Sequence, residues 1–194
     1  MMYQGGTKPK YLFFILLAAL VMLVILYFAT DYIHVRIVAW RNPDAGQRDI
    51  SYQINQSLNA IGSGGLFGLG FGKSRQKYLY LPEAHNDYVF PIVCEELGLV
   101  GALLVVVIFI LFILRGYWIA IHARDRFGTL LAGGLTTLFA LQVFFNIGVV
   151  TNVLPPTGIS LPFFSYGGTA LIMQLAEVGI ILNVSRTGTD KLLQ

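Results

Sequence analysis

Apolar residues gather into four long runs, and polar residues fill the segments between them. The first run, Tyr11 to Ala29, carries no charge. The second, Leu97 to Leu114, is also uncharged, and it extends back toward Tyr88 if Glu95 and Glu96 are tolerated. The third covers roughly Gly128 to Val150. The fourth covers roughly Thr169 to Val184, is interrupted by Glu177, and borrows Ser165 to Gly168 to reach spanning length. A bilayer core takes about 20 apolar residues as a helix. None of the runs alternates as a strand would, and only helices or closed barrels satisfy their backbone in lipid. The pattern predicts an all-α integral membrane protein forming a single membrane domain over 1–194. Its transmembrane helices fall at about 11–33, 88–114, 128–150 and 165–184, with a long extracytoplasmic loop at about 34–87. The first run is 19 residues long and Thr30-Asp31-Tyr32 follows it without a small-x-small site. Signal-peptide cores are shorter, about 7–15 residues, so a retained helix is expected.

The polar segments set the orientation. Arg115, Arg124 and Arg126 crowd the 115–127 loop, whereas 151–163 has no charge. Short loops rich in Lys and Arg stay in the cytoplasm, so 151–163 lies outside and both termini lie inside. Lys8, Lys10, Arg186 and Lys191 agree with that. The long 34–87 segment then lies outside with six basic residues, Arg36, Arg41, Arg48, Lys73, Arg75 and Lys77. Within it, Ile50, Ile54, Leu58 and Ile61 share one helical face, and Asp49 precedes them as a plausible N-cap. A short interfacial helix is expected there. Its other faces offer Gln53, Asn55, Gln56 and Asn59. Six glycines follow between Gly62 and Gly72, then Lys73, Arg75 and Lys77, then Leu81-Pro82-Glu83-Ala84-His85-Asn86-Asp87.

Composition narrows the class. The chain has 194 residues, 56% hydrophobic and 12% charged, with a formal net charge of +3. Soluble domains carry about 25% charged residues, so neither a disordered chain nor an ordinary cytosolic enzyme fits. The mean hydropathy is +0.69 and the pI near 9.0. In a membrane chain that modest basicity reports topology, not nucleic-acid binding. Cys94 is the one cysteine, which excludes an internal disulfide and a multi-cysteine metal site.

Candidate chemistry sits on the outer side. Gly72-Lys73-Ser74 ends like a phosphate-binding loop, but Phe67 stands where the motif needs its first glycine. Glycine-exposed N–H groups beside three basic side chains still suit phosphates, although solvated charge on a loop reads the same way. Asp87 precedes the second helix. It reads either as an N-cap, with Pro91 fitting the first turn, or as a general base at the membrane surface. A helix N-terminus favours the carboxylate and weakens it as a base unless desolvation opposes that effect. Glu83 and His85 stand near enough to tune Asp87, but no third ligand is evident and no metal site is predicted. Glu95, Glu96 and Glu177 lie inside apolar runs, where carboxylates serve ion paths or interhelical hydrogen bonds. Gln142 with Asn146, and Gln174 with Glu177, share helix faces that suit such bonds. The stretch Leu154 to Gly168 holds three prolines and three glycines. It reads as a re-entrant segment, because irregular backbone at membrane depth survives only inside protein or along a cavity.

Taken together these residues resemble the SEDS family (shape, elongation, division and sporulation), the RodA/FtsW membrane glycosyltransferases. The matching text is Tyr52-Gln53, Ile61-Gly62-Ser63-Gly64-Gly65-Leu66-Phe67-Gly68, Leu81 to Tyr88, Glu95-Glu96-Leu97-Gly98, Pro155-Pro156-Thr157-Gly158 and Leu161 to Gly168. The resemblance runs from about residue 11 to 186. It implies a peptidoglycan glycosyltransferase that polymerises lipid II on the outer face of the bacterial cytoplasmic membrane, in division, elongation or sporulation. It implies that Asp87 is the catalytic carboxylate, deprotonating the acceptor 4-hydroxyl as undecaprenyl pyrophosphate leaves. Lys73, Arg75 and Lys77 are the expected pyrophosphate contacts. Glu83, His85, Gln53, Ser165 and Tyr166 are further substrate-binding candidates, and a divalent cation (Mg or Mn) is an expected helper. The implied partners are lipid II, undecaprenyl-linked glycan and a class B penicillin-binding protein; nucleic acid is not among them. The family fold has about ten membrane helices, so four correspond to its C-terminal part. Two other readings stand: a transporter of lipid-linked precursors working through Glu177 and the re-entrant segment, and an inactive interaction module.

Overall fold

The computed structural model describes residues 8–29, 31–42, 48–76 and 86–189. They form six helices, α1 (Pro9–Ala29), α2 (Asp31–Arg41), α3 (Arg48–Ser63), α4 (Val89–Ile121), α5 (Arg126–Val150) and α6 (Gly168–Thr189). No strand occurs among the described residues. Among the described residues three helices are long and apolar enough to cross a membrane, at Val89–Ile121, Arg126–Val150 and Gly168–Arg186. The apolar α1 precedes them.

The helix limits differ from the apolar runs where helix and hydrocarbon part company. α4 continues past Leu114 to Ile121. The Arg115 guanidinium lies 4.2 Å from the centre of the Trp118 ring, and Trp118 stacks on His122 at 4.3 Å. A charge ends the apolar run but not the helix, because Arg and Trp suit the interface on which it emerges. The run predicted at 11–33 falls on the described helices either side of Thr30, α1 (Pro9–Ala29) and α2 (Asp31–Arg41). α2 has Asp31 in its first turn and Arg41 in its last, each matched to the helix dipole. The fourth helix starts at Gly168, so Ser165 belongs to the irregular segment before it.

α4 and α5 form an antiparallel hairpin, and α6 lies against both. Asp125 caps α5 and accepts from the Gly128 N–H at 3.2 Å, a bond worth about 1 kcal/mol. One core cluster joins Phe90, Ala102, Val105 and Phe109 of α4 to Phe139 and Val143 of α5 and to Leu161. A second joins Ile119 and Ala120 to Ala132, Ile181 and Val184. Gly116 lets the hairpin close tightly, since a side chain there would enter Thr136. Small residues at such crossings are the usual currency of packing in lipid.

α3 packs across the outer part of α4 and touches α5. Its buried face differs from the one the isoleucine spacing predicts. Ser51, Ile54, Ser57 and Ala60 are buried, whereas Leu58 is 37% exposed. The small side chains allow close approach, and the Ser57 hydroxyl donates to the Val150 carbonyl at 2.7 Å. α3 begins at Arg48, so Asp49 falls inside its first turn and not before it.

The loop after α3 enters the ladder of α4. At Gly98 the helix breaks, with φ 69° and ψ −169°, a region essentially reserved for glycine. An unbroken helix would bond Leu99 N–H to Glu95 C=O and Val100 N–H to Glu96 C=O. Here the Leu69 N–H donates to Glu95 C=O at 2.9 Å and the Gly70 N–H to Glu96 C=O at 3.0 Å. The freed N–H groups of Leu99 and Val100 donate to the carbonyls of Gly65 and Leu66, at 2.9 and 3.2 Å. Four bonds replace two, and each of the four groups freed from the ladder has a partner. Such closeness excludes side chains: a Cβ at Gly64 would strike the Cys94 carbonyl, and one at Gly98 would strike Leu66 and Gly68. The Glu95 carboxylate, 1% exposed, completes the seam. It accepts from Ser74 Oγ at 2.5 Å, Arg75 N–H at 3.0 Å and Gln76 N–H at 3.4 Å. Its partner is therefore the loop, not a neighbouring helix.

Residues 151–167 form an irregular segment between α5 and α6. Side chains from other elements satisfy its carbonyls, as irregular backbone in a low-dielectric setting requires. Arg36 Nη1 donates to Pro156 C=O at 2.7 Å, and Trp40 Nε1 to Asn152 C=O at 3.0 Å. Asn146 holds Ile159, and the Gln174 side chain accepts from the Phe163 N–H at 2.9 Å. Phe163 holds φ 64°, a costly conformation for a bulky residue, and its ring packs 5.7 Å from that of Phe139.

Gly98→Ala should lower stability by about 3 kcal/mol, from the strained conformation and the displaced loop bonds together. SDS or thermal unfolding in mild detergent measures this. A variant that unfolds with the wild type would show that the seam contributes little.

Candidate functional site

α2, α3, α4, α5 and the irregular segment meet around a small cavity of about 70 Å³. Its walls are Arg36 from α2, Ile50 and Gln53 from α3, Asp87 and Tyr88 at the start of α4, and Asn146 and Val149 from α5. Pro156, Gly158 and Ile159 close it. Each wall traces to a contact already described. Ser57 ties α3 to the end of α5, Arg36 ties α2 to Pro156, and the glycine loop anchors the outer part of α4.

Asp87 lies two residues before Val89, the first residue of α4. The cap position falls on Tyr88, whose side chain makes no capping bond, so the N-cap reading does not describe the Asp87 position. Pro91 sits in the first turn as expected. The carbonyl of Asp87 accepts from Asn146 Nδ2 at 2.8 Å. Gly158, at φ +77°, faces the carboxylate: a Cβ there would stand 3.4 Å from Asp87 Oδ2. Tyr88 is 5% exposed. Burial pushes its hydroxyl up to about 12, the negative charge of Asp87 adds to the rise, and the Arg36 guanidinium opposes it. A carboxylate and a guanidinium thus act on the same hydroxyl.

The expected site residues divide into four groups. Asp87 and Gln53 meet in the cavity. Lys73 and Arg75 are exposed on the loop after the glycines and do not line it; the Arg75 backbone is held by Glu95. Ser165 accepts from the Leu161 N–H at 2.7 Å and holds the turn before α6, while Tyr166 is 83% exposed. Lys77, Glu83 and His85 lie outside the described residues. Arg36 and Asn146 are site residues that sequence reasoning missed. Arg36 was visible only as one of six outer basic residues, and it meets Pro156 across 120 positions. Asn146 was visible as a polar group on an apolar helix, with no hint that both its partners would be carbonyls.

No group of three or more His, Cys, Asp or Glu residues stands ready for a metal among the described residues. Among the described residues the cavity offers one carboxylate, Asp87, with the Arg36 guanidinium on the same lining.

The family model of the FtsW/RodA/SpoVE cell cycle proteins matches residues 1–190. The chain is 44% identical over 185 residues to a probable peptidoglycan glycosyltransferase FtsW of Geobacter metallireducens, covering 95% of this chain and 49% of that protein. It is 44% identical over 186 residues to stage V sporulation protein E of Bacillus subtilis, covering 96% and 51%. A chain from a solved peptidoglycan synthase complex, described for the coordination of polymerization and crosslinking, superposes with a TM-score of 0.71 at 26% identity, over 95% of this chain and 51% of that one. The chain spans about half the length of the curated relatives it matches.

Between pH 10 and about 12 the folded chain should keep a Tyr88 proton that the unfolded chain releases, so stability falls across that window. Tyr88→Phe should remove this fall. Tyrosinate absorbance of wild type minus Tyr88→Phe measures it; a difference signal titrating near 10 contradicts the buried, charge-coupled hydroxyl.

Proposed function

The chain belongs to the FtsW/RodA/SpoVE family of cell cycle proteins, and we propose that it carries the catalytic outer face of a peptidoglycan glycosyltransferase. Its substrate is lipid II, its compartment the bacterial cytoplasmic membrane, and both termini face the cytoplasm. The observation that carries this reading is the built surround of Asp87, a carboxylate on the wall of a polar cavity with Gly158 leaving space in front of it.

In the reaction, Asp87 takes the proton from the acceptor sugar's 4-hydroxyl. That oxygen bonds to the anomeric carbon of the lipid-linked donor as the bond from that carbon to the pyrophosphate oxygen breaks. The anomeric centre inverts and undecaprenyl pyrophosphate departs. Gln53 offers both a donor and an acceptor for sugar hydroxyls. Arg36 supplies fixed positive charge beside the base and keeps the carboxylate from meeting lipid unpartnered. Lys73 and Arg75, exposed outside the cavity, and Lys77 with them, meet the leaving pyrophosphate at the membrane surface. A magnesium or manganese ion would travel with that pyrophosphate. A class B penicillin-binding protein crosslinks the product strand. Transport through Glu177 draws less support, because Glu177 is not among the residues lining the Asp87 cavity.

Asp87→Asn keeps the shape and removes the base. Polymerisation of lipid II in vesicles should fall by about 10²–10⁴-fold at unchanged thermal stability, with glycan length on gels as the readout. Polymerisation that persists at the wild-type rate sinks the general-base assignment.

A further inference from the structure

Asn146 is 2% exposed on α5. Its Nδ2 donates to the Asp87 carbonyl at 2.8 Å and to the Ile159 carbonyl at 2.7 Å. Both acceptors lie outside any helical ladder: Asp87 precedes the cap residue of α4, and Ile159 is in the irregular segment. These partners fix the orientation of the amide, because the flipped form would set its oxygen against two carbonyl oxygens. As a result, Asn146 Oδ1 is buried without a hydrogen-bond partner among the described residues. A serine could hold one carbonyl without orphaning an acceptor. Holding both takes a group with two N–H donors, and the orphaned oxygen is the cost of that bridge. The two carbonyls belong to two separate parts of the cavity lining, Asp87 before α4 and Ile159, next to Gly158, in the irregular segment.

We propose that Asn146 is the positioning residue of this site, its amide setting the separation between the Asp87 carboxylate and the Gly158 wall. The inference deepens, and for its catalytic meaning rests on, the reading of Asp87 as general base. Asn146 touches backbone only. It acts through Asp87 by fixing the space in which a sugar hydroxyl meets the carboxylate, and misplacement of about 1 Å is enough to cost about 10²-fold in rate.

The test uses the full chain in lipid vesicles, with lipid II as the probe, comparing wild type, Asn146→Ala, Asn146→Ser and Asp87→Asn. Asn146→Ala should lower kcat by about 10–100-fold while KM for lipid II holds, and should displace the acid limb of the pH–rate profile. Asn146→Ser, with one donor left, should fall between, and it serves should the alanine variant fail to fold. A second readout needs no turnover: the Tyr88 titration, taken against Tyr88→Phe in each background, should drop from about 12 toward 10 as the Asp87-Tyr88 turn loosens. Wild-type kinetics and Tyr88 titration in both Asn146 variants would overturn the proposal. So would losses that only track the amount of folded protein, with the pH profile unmoved. Full activity in Asp87→Asn removes the base reading instead, and the Tyr88 titration still decides the positioning.

Discussion

Everything on the outer face hangs on one exchange of backbone hydrogen bonds. Two carbonyls and two N–H groups that an unbroken α4 would pair with each other are paired instead with the Gly65–Gly70 stretch. In hydrocarbon or at its edge, an unpaired peptide group costs several kcal/mol, so a helix cannot open there unless something fills the gap atom for atom. The glycine loop does so, and only glycines permit the required backbone contact at positions 64, 68 and 98. The Glu95 carboxylate then fastens the Ser74–Arg75 stretch that follows. Two stretches distant in sequence thereby become one structural unit, and that unit fixes the turn on which Asp87 stands.

The irregular segment that also lines the cavity solves the same problem differently. Its carbonyls are met by side chains, Arg36, Trp40 and Asn146, each from another element. A loop paired by foreign side chains keeps its shape only while those elements stay in place. The site is therefore a convergence of supports, and no single helix carries it.

Much of this was legible in the sequence. Uncharged runs of spanning length reported α4 and α5, and turn residues between 154 and 168 reported the break before α6. Proximity of Asp87 to a helix start was also readable. Less legible was anything decided by long-range partners. α2 mixes Arg, His and Trp without a clean apolar face, because its side chains serve the irregular segment. The buried face of α3 was misjudged because Ser51, Ser57 and Ala60 earn their burial by being small, a property that hydrophobic periodicity does not register. The glycines looked like freedom for a flexible loop or a phosphate cradle. They are instead the condition for a close backbone seam. Local pattern carries the transfer of a side chain from water, but not the identity of the atom it will touch.

The break at Gly98 also bears on how this protein lives in bilayers of different thickness. A helix with a continuous ladder carries tilt from one end to the other, and tilt is how a long span accommodates a thin membrane. In α4 the ladder is interrupted between the outer Val89–Leu97 stretch and the remainder. Tilt of the inner part therefore reaches Asp87 through the loop bonds at the break and through α5, whose Asn146 holds the Asp87 carbonyl, and not through a continuous ladder. The outer stretch rests on α3 and the glycine loop, and the inner stretch on α5 and α6, so the parts of one helix that meet the deep hydrocarbon and that carry the carboxylate have different supports.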